Sequence, residues 1–274
     1  MNLRYIDIHG HINFPEYDVD REEVIKRSKD AGIGIVVVGT SLESSKNAIK
    51  LAESYENIWA IIGIHPIDTN SSSAMKEFLD IKGLARNPKV IAIGECGLDY
   101  FHSKSEDIPR QIELFEQHIA LANEVGKPLM LHVRNSKENS KNINISNQDY
   151  SEHNAYQEVI SILKKQAKVR ANFHFFAGTV QDARDIVEMG NTLSFTGVLT
   201  FARNYDEIIK SIPLENIMSE TDCPFVAPIP YRGKRNEPSY VIEVVNKIAK
   251  IREQDDDLVS KQLVDNAKVF FSLK

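Results

Sequence analysis

Two histidines, His9 and His11, stand one residue apart in IDIHGHINF, directly after an apolar run, in a chain that holds only 8 histidines among 274 residues. On an extended segment such a pair shares the two-residue strand period, so both imidazoles leave one face and can converge on one ion. Neutral imidazole suits zinc and other first-row ions, and carboxylates added to the set widen the choice to manganese or magnesium. Residues of the same chemistry recur along the chain at the ends of short apolar runs: His65, Glu95, His132, His174, Glu220 and Asp222. Even four of these histidines with two of the carboxylates exceed one tetrahedral site. Two ions sharing one carboxylate would accommodate them, and paired ions about 3.5 to 4 Å apart are a recurrent device for phosphoester hydrolysis.

Each of these residues has a plainer reading when taken alone. An HxH pair is more often surface histidine or a satisfied core hydrogen bonder than a pair of ligands. Glu95 could cap the following helix. His174 inside NFHFF reads as a core histidine, and Asp222 before Pro224 as a turn former. The metal reading therefore depends on the elements that would bring them together.

Those elements follow a clear rhythm. Apolar, β-branched runs at 3–8, 34–39, 58–64, 90–95, 128–133, 169–175, 191–197 and 216–221 alternate with amphipathic stretches, which is the pattern of repeated βα units around a parallel sheet. Several runs are apolar on both faces, as strands of a parallel barrel must be. DREEVIKRSKDAG and DIPRQIELFEQHIALANEVG end on glycine, where a helix C-terminus is expected. The prediction is an α/β fold, a (β/α)8 TIM barrel of metal-dependent hydrolase type, as one domain over 1–274. Two last helices, about 238–252 and 256–271, add an extra C-terminal helix to the barrel. An open doubly wound sheet is the alternative, but no glycine-rich phosphate loop follows the first strand. Barrel active sites are built at the carboxyl ends of the strands, and all eight candidates fall there. His102, His118 and His153 do not, and are expected to be structural or solvent-facing.

Composition sets the outer limits. Hydrophobic residues make up 42% and charged residues 26%, enough to bury a large core. The net charge of −6 lacks the basic footprint of a protein that grips nucleic acid through many phosphates, so an anionic substrate must be held locally. Two cysteines, Cys96 and Cys223, form no disulfide framework, and no signal peptide or apolar run of membrane-spanning length is evident, so a cytoplasmic protein without membrane insertion is expected. Each cysteine neighbours a candidate ligand in sequence and should point to the opposite face. The segment 136–154, rich in Asn and Ser, interrupts the rhythm after HVR and reads as a loop insertion, either a lid or a tolerated surface loop.

At this point the chain resembles the TatD family of metal-dependent deoxyribonucleases, within the amidohydrolase-like barrels. The motifs that carry the resemblance are DIHGH (7–11), GIHP (63–66), IGECGLDYF (93–101), HVR (132–134), HFFAG (174–178), ETDCP (220–224) and YRGKRNEP (231–238), spread over nearly the whole chain. The resemblance implies two divalent ions, whether zinc, magnesium or manganese. His9, His11, Glu95 and Asp222 would hold the first, and Glu95, shared, with His132 and His174 the second. Glu95 and Asp222 would be catalytic, Asp222 by orienting the attacking water or accepting its proton. His65, Arg134, Arg232, Lys234 and Arg235 would approach the substrate, with Asn236 and Glu237 fixing the shape of their loop. The activity implied is hydrolysis of DNA phosphodiesters, as a 3'-5' exonuclease on single strands, by a monomer. A deaminase or an amide or ester hydrolase on the same barrel is the alternative, and a noncatalytic scaffold a more distant one. The chain departs from the family pattern at Ile67, where a histidine is common, at Ala177, where Ser or Thr is usual, and at Ile8 and Gly10 around the first ligands.

Overall fold

The computed structural model describes residues 3–69, 73–136 and 154–273. Eight strands run in chain order: β1 (Tyr5–Gly10), β2 (Ile33–Val38), β3 (Ile58–Ile62), β4 (Val90–Asp99), β5 (Leu129–Arg134), β6 (Ala171–Phe173), β7 (Thr192–Phe195) and β8 (Ile217–Ser219). Every successive pair is parallel. The sheet closes where β8 meets β1: Gly10 bridges Cys223, the Asp222 amide donates to the His9 carbonyl at 2.8 Å, and the His11 amide donates to the Cys223 carbonyl at 2.8 Å. The fold is the (β/α)8 barrel that the sequence predicts.

The helices outside the strands are α1 (Arg21–Asp30), α2 (Leu42–Ser54), α3 (Ala74–Leu84), α4 (Ile108–Val125), α5 (Ala155–Gln166), α6 (Val180–Glu188), α7 (Asp206–Ser211), α8 (Val241–Arg252) and α9 (Asp256–Phe271). Their starts carry the side chains that satisfy free amides. Ser41 accepts from Ser44 N ahead of α2, Asn154 from Gln157 N ahead of α5, and Thr179 from Asp182 N ahead of α6. Gly126, at φ 66°, closes α4 in the left-handed region as its position predicts.

Alternation along the strands sorts the core into two. Ile33, Ile35, Val37, Ile62, Leu131 and Phe173 face the surrounding helices, while Ile6, Ile8, Val36, Val38, Met130 and Met218 form a separate interior cluster. Val264, Ala267, Phe270 and Phe271 of α9 belong to that interior cluster. The extra C-terminal helix therefore plugs one end of the barrel, and the polar rim occupies the other.

Two bulges set the rim. Between Asp7 and Gly10, β1 uses one more residue than β2, and between Ile93 and Cys96, β4 uses one more than β5. An extra residue shifts the in-out alternation by one place. Ile8 and Ala92 face the interior, and within the bulges His9 and Glu95 do as well, although simple alternation would turn them outward.

Several boundaries differ from the sequence reading. β4 continues past Glu95 to Asp99, because Cys96–Asp99 pair with Leu131–Arg134. β6, β7 and β8 are shorter than the apolar runs, since side chains take over backbone partners near the rim; the Phe175 amide, for instance, donates to the Glu220 carboxylate at 2.5 Å. The first of the last two helices begins at Val241, after a 3-10 turn at Pro238–Tyr240. Most of the 136–154 insertion, residues 137–153, lies outside the described residues, and His153 with it. Among the described residues no helix is long and apolar enough to cross a membrane.

Candidate metal centre

The rim side chains converge in two groups that meet at one carboxylate. In the first, His9 Nε2 and His11 Nε2 stand 3.2 Å apart, and Glu95 Oε2 lies 3.3 Å from the former and 3.7 Å from the latter. Asp222 Oδ1 completes the group, 3.8 Å from His9 Nε2 and 3.4 Å from His11 Nε2. His11 Nδ1 donates to the Val38 carbonyl at 3.0 Å, which leaves its Nε2 lone pair turned to the group. His9, His11, Glu95 and Asp222 are all buried.

The second group gathers on the other oxygen of the same carboxylate. Glu95 Oε1 lies 3.1 Å from His132 Nδ1, 2.9 Å from His174 Nε2 and 3.4 Å from His65 Nε2, and the first two nitrogens are 3.4 Å apart. His132 Nε2 donates to Asp99 Oδ2 at 2.9 Å, so its Nδ1 lone pair faces inward. His174 presents Nε2 while its Nδ1 sits 3.6 Å from Glu220 Oε1. His65 differs from the other two. Its Nδ1 accepts the Ile67 amide at 3.3 Å, so in the neutral ring Nε2 carries the hydrogen and faces Glu95 as a donor.

Supporting residues fix these orientations. Asp99, four residues past the end of the fourth apolar run and so not among the eight candidates, is fully buried. Its carboxylate accepts from His132, from the Phe101 and His102 amides and from His102 Nδ1, and its backbone is gripped at both ends by the Gln111 side chain. Glu220 accepts from Ser194 Oγ at 2.7 Å as well as from the Phe175 amide, beneath His174. Asp7 accepts from the Thr221 amide and hydroxyl and from the His9 amide, tying β1 to the end of β8.

The charge balance follows from burial among opposed groups. Burial works against ionisation of Glu95, yet the imidazoles of His174, His65 and His9 hold it well below the usual carboxylate range. Burial likewise opposes charge on His174, but Glu95 and Glu220 lift it well above the ordinary histidine value. His11 is raised against burial by Asp222 and Glu95, whereas burial and the neighbouring His174 push His9 down. Asp222 is kept low, against burial, chiefly by its bond to His11. Buried carboxylates thus draw positive charge to two places, and at each a pair of imidazole nitrogens 3.2 or 3.4 Å apart turns inward. A divalent cation between each pair fits this mixed imidazole and carboxylate set, which admits zinc, manganese or magnesium.

A cavity of about 840 Å³ opens over the two groups, walled in part by Phe14, Ile67, Phe101, Arg134 and Phe225. Arg134 reaches this wall with its guanidinium 4.2 Å over the Phe101 ring. The structure does not bring Arg232, Lys234 or Arg235 to it. Arg235 is held by both carboxylate oxygens of Asp20, at 2.8 and 2.5 Å, and Arg232 donates to the Ala227 carbonyl with its guanidinium 4.1 Å over Phe201. For the two arginines the reason is local: a carboxylate engages the Arg235 guanidinium and a backbone carbonyl that of Arg232. Asn236 donates to the Thr221 and Phe225 carbonyls, and Glu237 takes both Nε and Nη2 of Arg27, so both hold the loop's shape. Ile67, 47% exposed, gives the cavity an apolar edge. Cys96 and Cys223 are buried and neither lines the cavity. His118 is structural, donating to the Leu114 carbonyl and accepting the Ile64 amide. His102 does more than face solvent, since it shares Asp99 with His132.

Similarity to known proteins extends over nearly the whole chain. The family model described as TatD related DNase matches residues 6–272. An uncharacterized metal-dependent hydrolase, YabD of Bacillus subtilis, is 39% identical over 97% of this chain and 98% of its own. A 3'-5' ssDNA/RNA exonuclease TatD of Erwinia amylovora is 30% identical over 97% of this chain and 99% of its own. The crystal structure of YjjV, a TatD homolog from Escherichia coli, superposes with a TM-score of 0.84 at 26% identity and full coverage of both chains. The chain belongs to the TatD-related DNase family of metal-dependent hydrolases.

Proposed function

We propose that the chain cleaves phosphodiester bonds of single-stranded DNA, in the 3'-5' direction, with two divalent ions. The observation that carries this reading is the division of Glu95: Oε2 faces the His9 and His11 pair and Oε1 faces the His132 and His174 pair. The name of the Erwinia relative, which specifies a 3'-5' exonuclease on single-stranded DNA and RNA, supports the polarity and strandedness.

His9, His11, Glu95 and Asp222 would hold one ion and His132, His174 and Glu95 the other. Ions held there would lower the pKa of water and neutralise charge on the phosphoryl and leaving oxygens. The chain's own groups do the rest. Asp222, ionised at the mouth of the first group, accepts the proton that the attacking water loses. Water oxygen bonds to phosphorus as the bond to the leaving sugar oxygen breaks, and that oxygen leaves with a proton from solvent. His65, with Nε2–H fixed by the Ile67 amide, donates to a phosphoryl oxygen. Arg134, braced on Phe101, meets a flanking phosphate of the strand. A chain of net charge −6 needs such local cations to hold an anionic polymer.

The test is hydrolysis of labelled single- and double-stranded DNA and RNA by the purified protein in magnesium, manganese or zinc, with and without chelator, beside His9→Ala and Glu95→Ala. Single-strand cleavage abolished by chelator and lowered at least about 100-fold in both variants is expected. Cleavage that survives chelation, or persists undiminished in both variants, contradicts the reading. Bound ions with no turnover of any nucleic acid would move it to amide or carboxylic ester hydrolysis.

A further inference from the structure

The loop after β8 turns an aromatic ring outward at the edge of the cavity. Phe225 lines the cavity three residues after Asp222 and is 48% exposed. Among the described Phe and Tyr residues of that wall it is the one left exposed; Tyr156 and Tyr205 are buried, and Phe14, Phe101 and Phe175 are half-buried. The exposure does not come from a loose backbone. The Phe225 amide donates to the Asp222 carbonyl at 3.0 Å, and its carbonyl accepts Asn236 Nδ2 at 2.6 Å. Asn236 is fully buried and also donates to the Thr221 carbonyl at 2.8 Å. The backbone that carries this exposed ring is thereby held relative to Asp222, and the ring centroid lies 6.3 Å from that of His11.

We propose that Phe225 is a stacking platform for the nucleobase next to the scissile phosphate. The proposal rests on the phosphodiesterase reading above and adds the recognition of a base. A base hangs one sugar away from its phosphate, and Phe225 stands beside the group that would receive that phosphate. On the far side, beyond His132, the Arg134 guanidinium suits the neighbouring phosphate, so a strand would run from Phe225 across Glu95 to Arg134. Every base presents a π face, so a single ring gives affinity without choosing sequence. A duplex keeps its bases stacked on each other, which makes this platform selective for unpaired ends.

The experiment compares a short single-stranded oligonucleotide with the same oligonucleotide carrying abasic terminal residues, using the manganese-loaded protein, Phe225→Ala and Phe225→Trp. The wild type is expected to favour the base-bearing strand by about tenfold in kcat/KM. Phe225→Ala should lose that preference through KM rather than kcat, and Phe225→Trp should keep or raise it. A preference unchanged in Phe225→Ala overturns the platform. If the wild type cleaves neither strand, the phosphodiesterase reading has failed separately. Equilibrium binding of thymidine 5'-monophosphate against deoxyribose 5-phosphate then decides: the nucleotide should bind more tightly to the wild type and to Phe225→Trp, but not to Phe225→Ala. Equal discrimination in all three proteins overturns it.

Discussion

Asp99 shows how a single side chain outside the ligand groups can govern one of them. It accepts from His132 Nε2 at 2.9 Å and so decides which ring nitrogen His132 turns to Glu95. Asp99→Ala is expected to weaken binding of the second ion by roughly 10- to 100-fold while sparing the first, which calorimetric titration of the two sites would reveal. Equal weakening at both sites would mean that Asp99 acts on the fold as a whole. His118 makes the opposite use of an imidazole. Burial lowers its pKa from 6.5 to about 4, so the folded chain keeps it neutral where the unfolded chain takes up a proton. Stability should therefore fall as pH drops from about 6.5 to about 4, by at most roughly 3 kcal/mol from this group. Denaturant unfolding of the wild type and His118→Gln at pH 7 and pH 5 checks it: the variant should show the smaller pH dependence. At this scale the six proposed ligands were legible because their residue types sit at the ends of apolar runs. Asp99 was not, because only the pairing of β4 with β5 shows that the strand runs on to it.

At the scale of elements, β3, β4 and β5 press against each other at glycine. A Cβ on Gly63 would lie 2.5 Å from the Gly94 carbonyl carbon, next to the peptide that carries Glu95. Backbone cannot rotate away as a side chain can. Gly63→Ala is expected to cost about 1 to 3 kcal/mol of stability and to displace Glu95, lowering metal affinity more than a surface substitution of equal stability cost would. Unfolding and metal titration of the same variant check both halves, and intact affinity would show that β4 absorbs the strain without moving Glu95. The strands themselves could be read from β-branched runs, since both faces of each are buried. The bulges in β1 and β4 could not be placed, because a bulge belongs to the pairing of two strands; Gly10 and Gly94 at those places are the only mark of them in the sequence, and a strand glycine also marks a close backbone approach. Strict alternation would turn His9 inward only at the expense of Ile8, and the structure places both inside.

For the whole molecule, closure of the barrel is what makes one centre from distant residues. His9 and Asp222 lie 213 positions apart, and the rim bonds between β1 and the end of β8 bring them within 3.8 Å. The sequence showed the rhythm of eight units and thus the rim; it did not show that Arg235 would turn to Asp20, since that contact depends on how two loops pack. The central claim is that one carboxylate serves both groups. Counting bound manganese by calorimetry with elemental analysis, in the wild type, Glu95→Gln and Asp222→Asn, tests it most directly. The account predicts two ions in the wild type, weakened binding of both in Glu95→Gln, and weakened binding of only one in Asp222→Asn. A wild type that saturates with a single ion, or a Glu95→Gln protein that still binds two at wild-type affinity, would contradict it.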